Sequence, residues 1–205
     1  MTNTLNWGDH VRGISSQVNG VLWRLKYCRS GLSLPLRIRL ITSLAFPQFD
    51  YCASVLTDLT GQQRLKLRRL MNACVRFIYD LRRDEHVSPW YERLGWLSAD
   101  DRREYLTCCL IFSILHSSSP PFLAGKLQPS HRLLPQLRSS SSPMDLAIPT
   151  CRTVTFQRSF HLLGCTLWNS LPPHIKEENS LKHFRCLLFD YLRRRGEGPH
   201  LGLRE

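Results

Sequence analysis

The nearest thing in this chain to a catalytic string is Ser98-Ala99-Asp100-Asp101. Adjacent aspartates invite comparison with the aromatic-x-Asp-Asp box that ligates two metal ions for phosphoryl transfer. That box needs a tight turn between two β-strands, with apolar β-formers on both sides. Here the string runs into RREYLTCCLIF, which has helical character, and Ser98 stands where an aromatic is needed. No earlier strand aspartate supplies a second set of ligands. The string reads instead as a helix N-cap with acids in the first turn, where the macrodipole favours them. Metal chemistry fares no better. The eight cysteines include no Cys-x-x-Cys, and adjacent Cys108-Cys109 suit neither a helix-face pair nor a zinc knuckle. His161 and Cys165 share an i, i+4 face but lack a second pair of ligands. There is no G-x-S-x-G elbow, no phosphate-cradling glycine loop and no H-E-x-x-H. No catalytic residue, metal site or cofactor site is assigned.

The remaining chemistry is electrostatic. GQQRLKLRRLMNACVRFIYDLRR, Gly61 to Arg83, carries Arg64, Lys66, Arg68, Arg69, Arg76, Arg82 and Arg83 against the single acid Asp80, so 7 − 1 = +6 of the chain's net +12. At 100° per residue Leu67, Leu70, Met71, Cys74, Phe77, Ile78 and Leu81 fall on one face, and Arg68, Arg69, Asn72, Arg76 and Arg83 on the other. A helix so polarised seats one side on a core and offers the other to water or to a polyanion. Arg64, Lys66, Arg68, Arg69, Arg76 and Arg83 are therefore the candidate nucleic-acid-binding residues. Trp7, Trp23, Trp90, Trp96 and Trp168, interleaved with arginines, raise base stacking as a second idea. Trp23, Trp90 and Trp168 lie on apolar faces, which favours core filling for them.

The elements that must position these residues are helices. Val11, Ile14, Val18, Val21, Leu22 and Leu25 predict a helix over Asp9–Tyr27, and Ser33 with Pro35 starts another that runs to Pro47. FPQFDYCASVL reads as a short buried helix after the Pro47 break, and Thr60-Gly61 punctuates before the basic helix. Ser88-Pro89 caps a short helix holding Trp90, Tyr91 and Leu94. Ser98 caps a longer one over Ala99–His116, with Leu106, Cys109, Leu110, Ile114 and Leu115 on its buried side. This predicts a helical bundle over residues 1–117. Residues 118–150 are rich in Ser and Pro and read as a linker or mobile loop, with one helical turn near Phe122–Leu127. Residues 151–195 form a small helical segment. In it Arg152 to Phe156 alternates like a single short strand, Phe160 to Leu171 is a helix, and Ser180 caps a last helix burying Leu181, Phe184, Leu187, Leu188 and Tyr191. Residues 196–205 read as a disordered tail. The fold class expected is mainly α, with at most one short strand.

Composition bounds the rest. The 205 residues are 42% hydrophobic and 21% charged, an ordinary globular balance. A pI near 9.8 suits a polyanionic partner. Arginines interrupt every apolar run, so no membrane span is expected, and MTNTLNWGDHV has no secretory pattern. Cys28, Cys52, Cys74, Cys108, Cys109 and Cys186 read as small core residues of a reducing compartment, and an intracellular location, nuclear or cytoplasmic, is expected.

Several strings together are similar to the stretch that follows the palm in reverse transcriptases of Jockey-like non-LTR retrotransposons. LNWGDHVRGISSQVNGVLWRLKYCR resembles that family's W-x-x-H-I helix through Trp7, His10 and Val11. Phe49-Asp50-Tyr51-Cys52 resembles its P-x-F-D-Y-C string, and Leu70, Asn72, Ala73, Arg76 and Ile78 its basic L-Q-x-x-x-N-x-A-x-R-x-I helix. His86, Val87, Pro89, Leu94, Trp96 and Leu97 match H-V-T-P-x-x-x-x-L-x-W-L. RTVTFQRSFHLLGCTLWNSLPPHIKEENSLKHFRCLLFDYL resembles the family's ending, and the likeness covers about residues 5–192 in order. It implies a helical, thumb-like grip on the template–primer backbone of RNA or DNA, without sequence readout. The family's Y-x-D-D box and endonuclease lie upstream of the first string, so the resemblance brings no catalytic residue and implies a fragment that is not itself an enzyme. The alternative is a protein-interaction or self-association module, exposing apolar surface once packed on the missing palm, or a decayed element copy without selected function.

Overall fold

A computed structural model describes residues 7–130 and 144–196. It is mainly α-helical, and no strand occurs among the described residues, only an isolated antiparallel bridge between Pro129 and Leu146. The chain divides into two compact units, Met1–Arg103 and Glu104–Glu205. The division falls inside the helix Ala99–Ser117. The tail 197–205 and residues 131–143 of the linker lie outside the described residues.

The first unit comprises α1 (Gly8–Tyr27), α2 (Leu34–Leu44), α3 (Phe46–Asp50), α4 (Gly61–Tyr79), α5 (Ser88–Leu94) and the first turn of α6 (Ala99–Ser117). Val11, Ile14, Val18 and Leu22 recur every three or four residues, so they share one stripe of α1. That stripe packs on α4, where Leu67, Leu70, Met71, Cys74, Phe77 and Ile78 are buried, and Ile41, Ala45, Phe46 and Phe49 close the core. Each such side chain taken from water contributes about 1.5–3 kcal/mol, which is why two helices of middling propensity hold together.

Several expectations are corrected here. Pro47 does not end α2; the break falls at Ala45, and Pro47 opens α3, because proline needs no amide partner in a first turn. α3 stops at Asp50, and Cys52 turns left-handed (φ 55°) before one 3-10 turn over Ala53–Val55. α4 ends at Tyr79, four residues short of Arg83, since Asp80 is left-handed at φ 60°. Ser88 does not cap α5; Val87 holds that position and Ser88 is the first helical residue. Trp23 is exposed rather than core, and so are Cys28 and Cys52. Trp90 is half-buried against Tyr79.

The second unit holds the rest of α6, α7 (Pro121–Ala124), α8 (Val154–Gln157), α9 (Phe160–Asn169), α10 (Pro173–Lys176) and α11 (Leu181–Gly196). Its core stacks Trp168 and Phe112 on either side of Phe184, with ring centroids 5.8 and 4.2 Å away. Ile111, Ile114, Ile175, Leu188 and Leu192 surround them. Gly164 lets α9 approach Ile111 closely; a Cβ there would sit 3.2 Å from the Ile111 Cδ1. The expected strand at 152–156 is instead extended chain capped by Thr153 into the turn of α8, because the Thr153 hydroxyl accepts the Phe156 amide. On α6, Leu110 faces solvent, while Cys108, Ile111 and Phe112 are buried. On α11 the buried residues are Phe184, Leu188 and Leu192, a strict i, i+4, i+8 stripe that leaves Leu187 and Cys186 exposed. Parts of the expected linker are pinned down. Leu127 and Leu146 are buried, Asn169 bonds the Leu146 amide and carbonyl at 2.8 Å each, and the Trp168 indole donates to the Met144 carbonyl. Buried Lys176 donates to Asp145 at 2.5 Å, a pair that fixes the same segment.

Candidate nucleic-acid interface

Thr60 and Gln63 start α4 with a reciprocal capping box. The Gln63 amide donates to the Thr60 hydroxyl at 3.3 Å, and the Thr60 amide donates to the Gln63 side chain at 2.9 Å. From that start, Arg64, Arg68 and Arg69 stand exposed and Lys66 half-buried on the side away from the core. Arg64, Lys66 and Arg69 meet no carboxylate among the described residues. Arg64 and Arg68 are i, i+4 neighbours, and Lys66 and Arg69 are i, i+3 neighbours. Such like-charge pairs oppose the helix by a few tenths of a kcal/mol each. Only Arg64, the fourth residue of α4, borders the first turn, where the macrodipole disfavours cations. α11 shows the contrast: Arg193, Arg194 and Arg195 lie in its last turn, where the dipole welcomes them, and Arg195 pairs with Glu104.

The six predicted residues do not act alike. Arg68 donates to Asp100 at 2.9 Å, and Asp100 also accepts from Arg103 at 2.8 Å. With Arg68 itself about half exposed, that pair is weak and open to exchange. Arg76, half-buried, donates to the carbonyls of Arg82 and Glu85 at 2.7 and 2.8 Å, where it ties down the turn after α4. Arg83 lies within that turn, exposed and off the helix. The structure therefore sets Arg64 and Arg68 along one flank of the outward ridge of α4 and Lys66 and Arg69 along the other, and separates Arg76 and Arg83 from it.

Sequence reasoning missed two arginines. Arg12, on α1, lines a shallow open groove with Gly8, Val11, Leu65, Lys66 and Arg69, so a second helix adds charge beside the ridge. Arg12 pairs with Asp9. The signal was readable, since Arg12 follows a buried Val11 and so flanks the α1 stripe. Arg37 is structural, because its guanidinium donates to the carbonyls of Leu32, Arg29 and Ile78, the last at the carboxyl end of α4. Nothing local in the sequence marks that role.

The Asp100-Asp101 string is a cap. The Asp101 amide donates to the Ser98 hydroxyl at 3.2 Å, and that hydroxyl donates to the Asp101 carboxylate at 2.6 Å. Asp100 faces Arg68 and Arg103, so the two carboxylates serve different partners. Among the described residues no three His, Cys, Asp or Glu side chains gather as metal ligands. His161 Nε2 lies 2.8 Å from the Lys126 carbonyl, a backbone partner and not a ligand set with Cys165. Burial pushes the Cys74 thiol up to about 12 and Cys165 up to about 11, so both are neutral packing groups at pH 7. Among the described residues no helix is long and apolar enough to cross a membrane. No protein-family model, curated protein or solved structure matches the chain.

Proposed function

We propose that the chain is a non-catalytic, nucleic-acid-contacting fragment similar to the thumb and carboxy-terminal region of a Jockey-like reverse transcriptase, gripping template–primer backbone. One observation carries this reading: two pairs of cations, Arg64 with Arg68 and Lys66 with Arg69, flank the outer side of the first half of α4, and three of the four have no carboxylate among the described residues. Their pairwise repulsion costs stability, and a phosphate backbone laid along them relieves it. Arg64, Lys66 and Arg69 neutralise phosphates, and Arg68 joins them by leaving Asp100. No base edge is read, so affinity is insensitive to sequence and steeply dependent on salt. A filter-binding titration of the chain on an RNA–DNA hybrid, repeated across salt, tests this. Log affinity falls linearly with log salt if the reading holds, and a flat response or no binding at low salt overturns it.

A second reading has its own observation. Leu36 and Leu44 on α2 are each more than two-fifths exposed, with Leu40 half-buried between them in one i, i+4, i+8 stripe. Such a stripe fits a protein contact or self-association. Sedimentation at two protein concentrations separates the readings: a stable monomer that binds hybrid in a salt-sensitive way favours the first.

A further inference from the structure

α1 carries an aromatic pair that packing does not use. Trp23 is 69% exposed and Tyr27, one turn later, 85% exposed. Their ring centroids lie 6.1 Å apart at a tilt of 47°, so two π-faces stand side by side in solvent. Arg24 and Lys26, both exposed, flank them. From His10 to Phe49 the sequence holds no Asp or Glu and six cations; Arg12 pairs with Asp9 and Arg29 with Asp80, while Arg24 and Lys26, which border the rings, meet no carboxylate among the described residues.

Charge selects the occupant. A second copy docked here in an isologous contact sets cations against cations, which disfavours self-association through this patch. Exposed aromatic faces bordered by unopposed cations match a single strand of nucleic acid, whose bases stack while its phosphates pair. The route to the patch is open. Arg12, Ser16, Gly20, Trp23 and Tyr27 follow one another at three- or four-residue steps along one side of α1. A Cβ added at Gly13 would meet nothing within 4 Å, and one at Gly20 only the tip of Arg24. From Arg12, in the groove with Lys66 and Arg69, to Tyr27 is about 22 Å of helix.

We propose that Trp23 and Tyr27 form a stacking platform for unpaired bases of a single strand, with Arg24 and Lys26 holding the adjoining phosphates. The strand continues along α1 toward the Lys66–Arg69 groove. This rests on the nucleic-acid reading above and adds to it a site for bases, where the α4 ridge meets only phosphates.

The test compares a short oligo(dT) with an abasic strand of the same length, both titrated against the full chain. Oligo(dT) is expected to bind about ten- to a hundredfold more tightly and to quench tryptophan emission. The double variant W23A/Y27A is expected to erase that preference and leave the salt slope unchanged, while W23F/Y27F restores it. Both side chains are exposed, so an unchanged thermal midpoint checks that the fold survives. Equal binding of the two strands, or a preference that persists in W23A/Y27A, overturns the platform and leaves the phosphate reading standing if hybrid is still bound. Binding of neither strand nor hybrid at low salt overturns both. Poly(Glu) bound with a dependence on Trp23 and Tyr27, in place of oligo(dT), assigns the patch to an acidic protein and overturns it as well.

Discussion

The two halves of α4 carry similar residues and meet opposite fates. In the first half, Arg64, Lys66, Arg68 and Arg69 project outward, and among the described residues only Arg68 finds a carboxylate. In the second half the outward positions are covered. Tyr91 of α5 donates to Asn72 at 2.9 Å, Tyr79 packs on Trp90 with centroids 4.3 Å apart, and Arg76 turns to the carbonyls after the helix. An arginine on a polar helix face is thus either an open cation or a backbone clamp, and the returning chain decides which. Charge periodicity places both on the same face and cannot tell them apart.

The comparison can be broken at several points. The largest effect is expected at the shared foundation: Ile78→Ala, at a fully buried site, costs about 2–5 kcal/mol by chemical denaturation and weakens both halves alike. A loss under 1 kcal/mol would mean that the α1–α4 core does not hold the helix. Next is the clamp. Arg76→Gln leaves two carbonyls without their charged donor and costs about 1–3 kcal/mol, yet leaves the salt slope of hybrid binding as it was. In the ridge the signature reverses. Arg64→Gln with Lys66→Gln and Arg69→Gln keeps the midpoint or raises it slightly, and flattens the salt slope by about 2–3 contacts' worth. Equal slopes for the clamp and ridge variants would erase the distinction between the halves.

Smaller effects sharpen it. Tyr91→Phe removes one hydrogen bond to Asn72 and costs about 1 kcal/mol, reporting how firmly α5 covers the second half. The Cys74 thiol beneath α4 supplies a pH test. Its pKa is raised from 9.0 to about 12 by burial, so the folded state keeps a proton that the unfolded state loses. Stability from this group is therefore intact below about pH 9 and falls between pH 9 and 12, by up to about 1.4 kcal/mol per pH unit. Denaturant melts across that window should show the fall in the parent chain and a shallower one in Cys74→Ala.

Much of this architecture was legible in the residues. The apolar repeats of α1 and α4, the Thr60 and Ser98 starts and the basic character of α4 all follow from local periodicity and capping chemistry. Helix ends were less readable. Asp80 adopts a left-handed turn that stops α4 before Leu81, although the apolar pattern continues through that residue. The Arg152–Phe156 alternation looked like a strand, but a lone strand has no ladder partner, and the Thr153 cap drew Val154–Gln157 into a helical turn.

What the sequence determined by itself is therefore the helical class, the positions of most helices and the excess of positive charge, because each depends on neighbours three or four residues away. What only the tertiary structure decided is which cations remain free. Asp100 reaches Arg68 across 32 residues, Arg37 reaches the Ile78 carbonyl across 41, and Tyr91 closes over Asn72 across 19. The exposure of Trp23 and Tyr27 was settled in the same way. An amphipathic stripe fixes which side of a helix is apolar, but only the packed neighbours fix how wide the buried arc becomes, and on α1 it stops short of both rings.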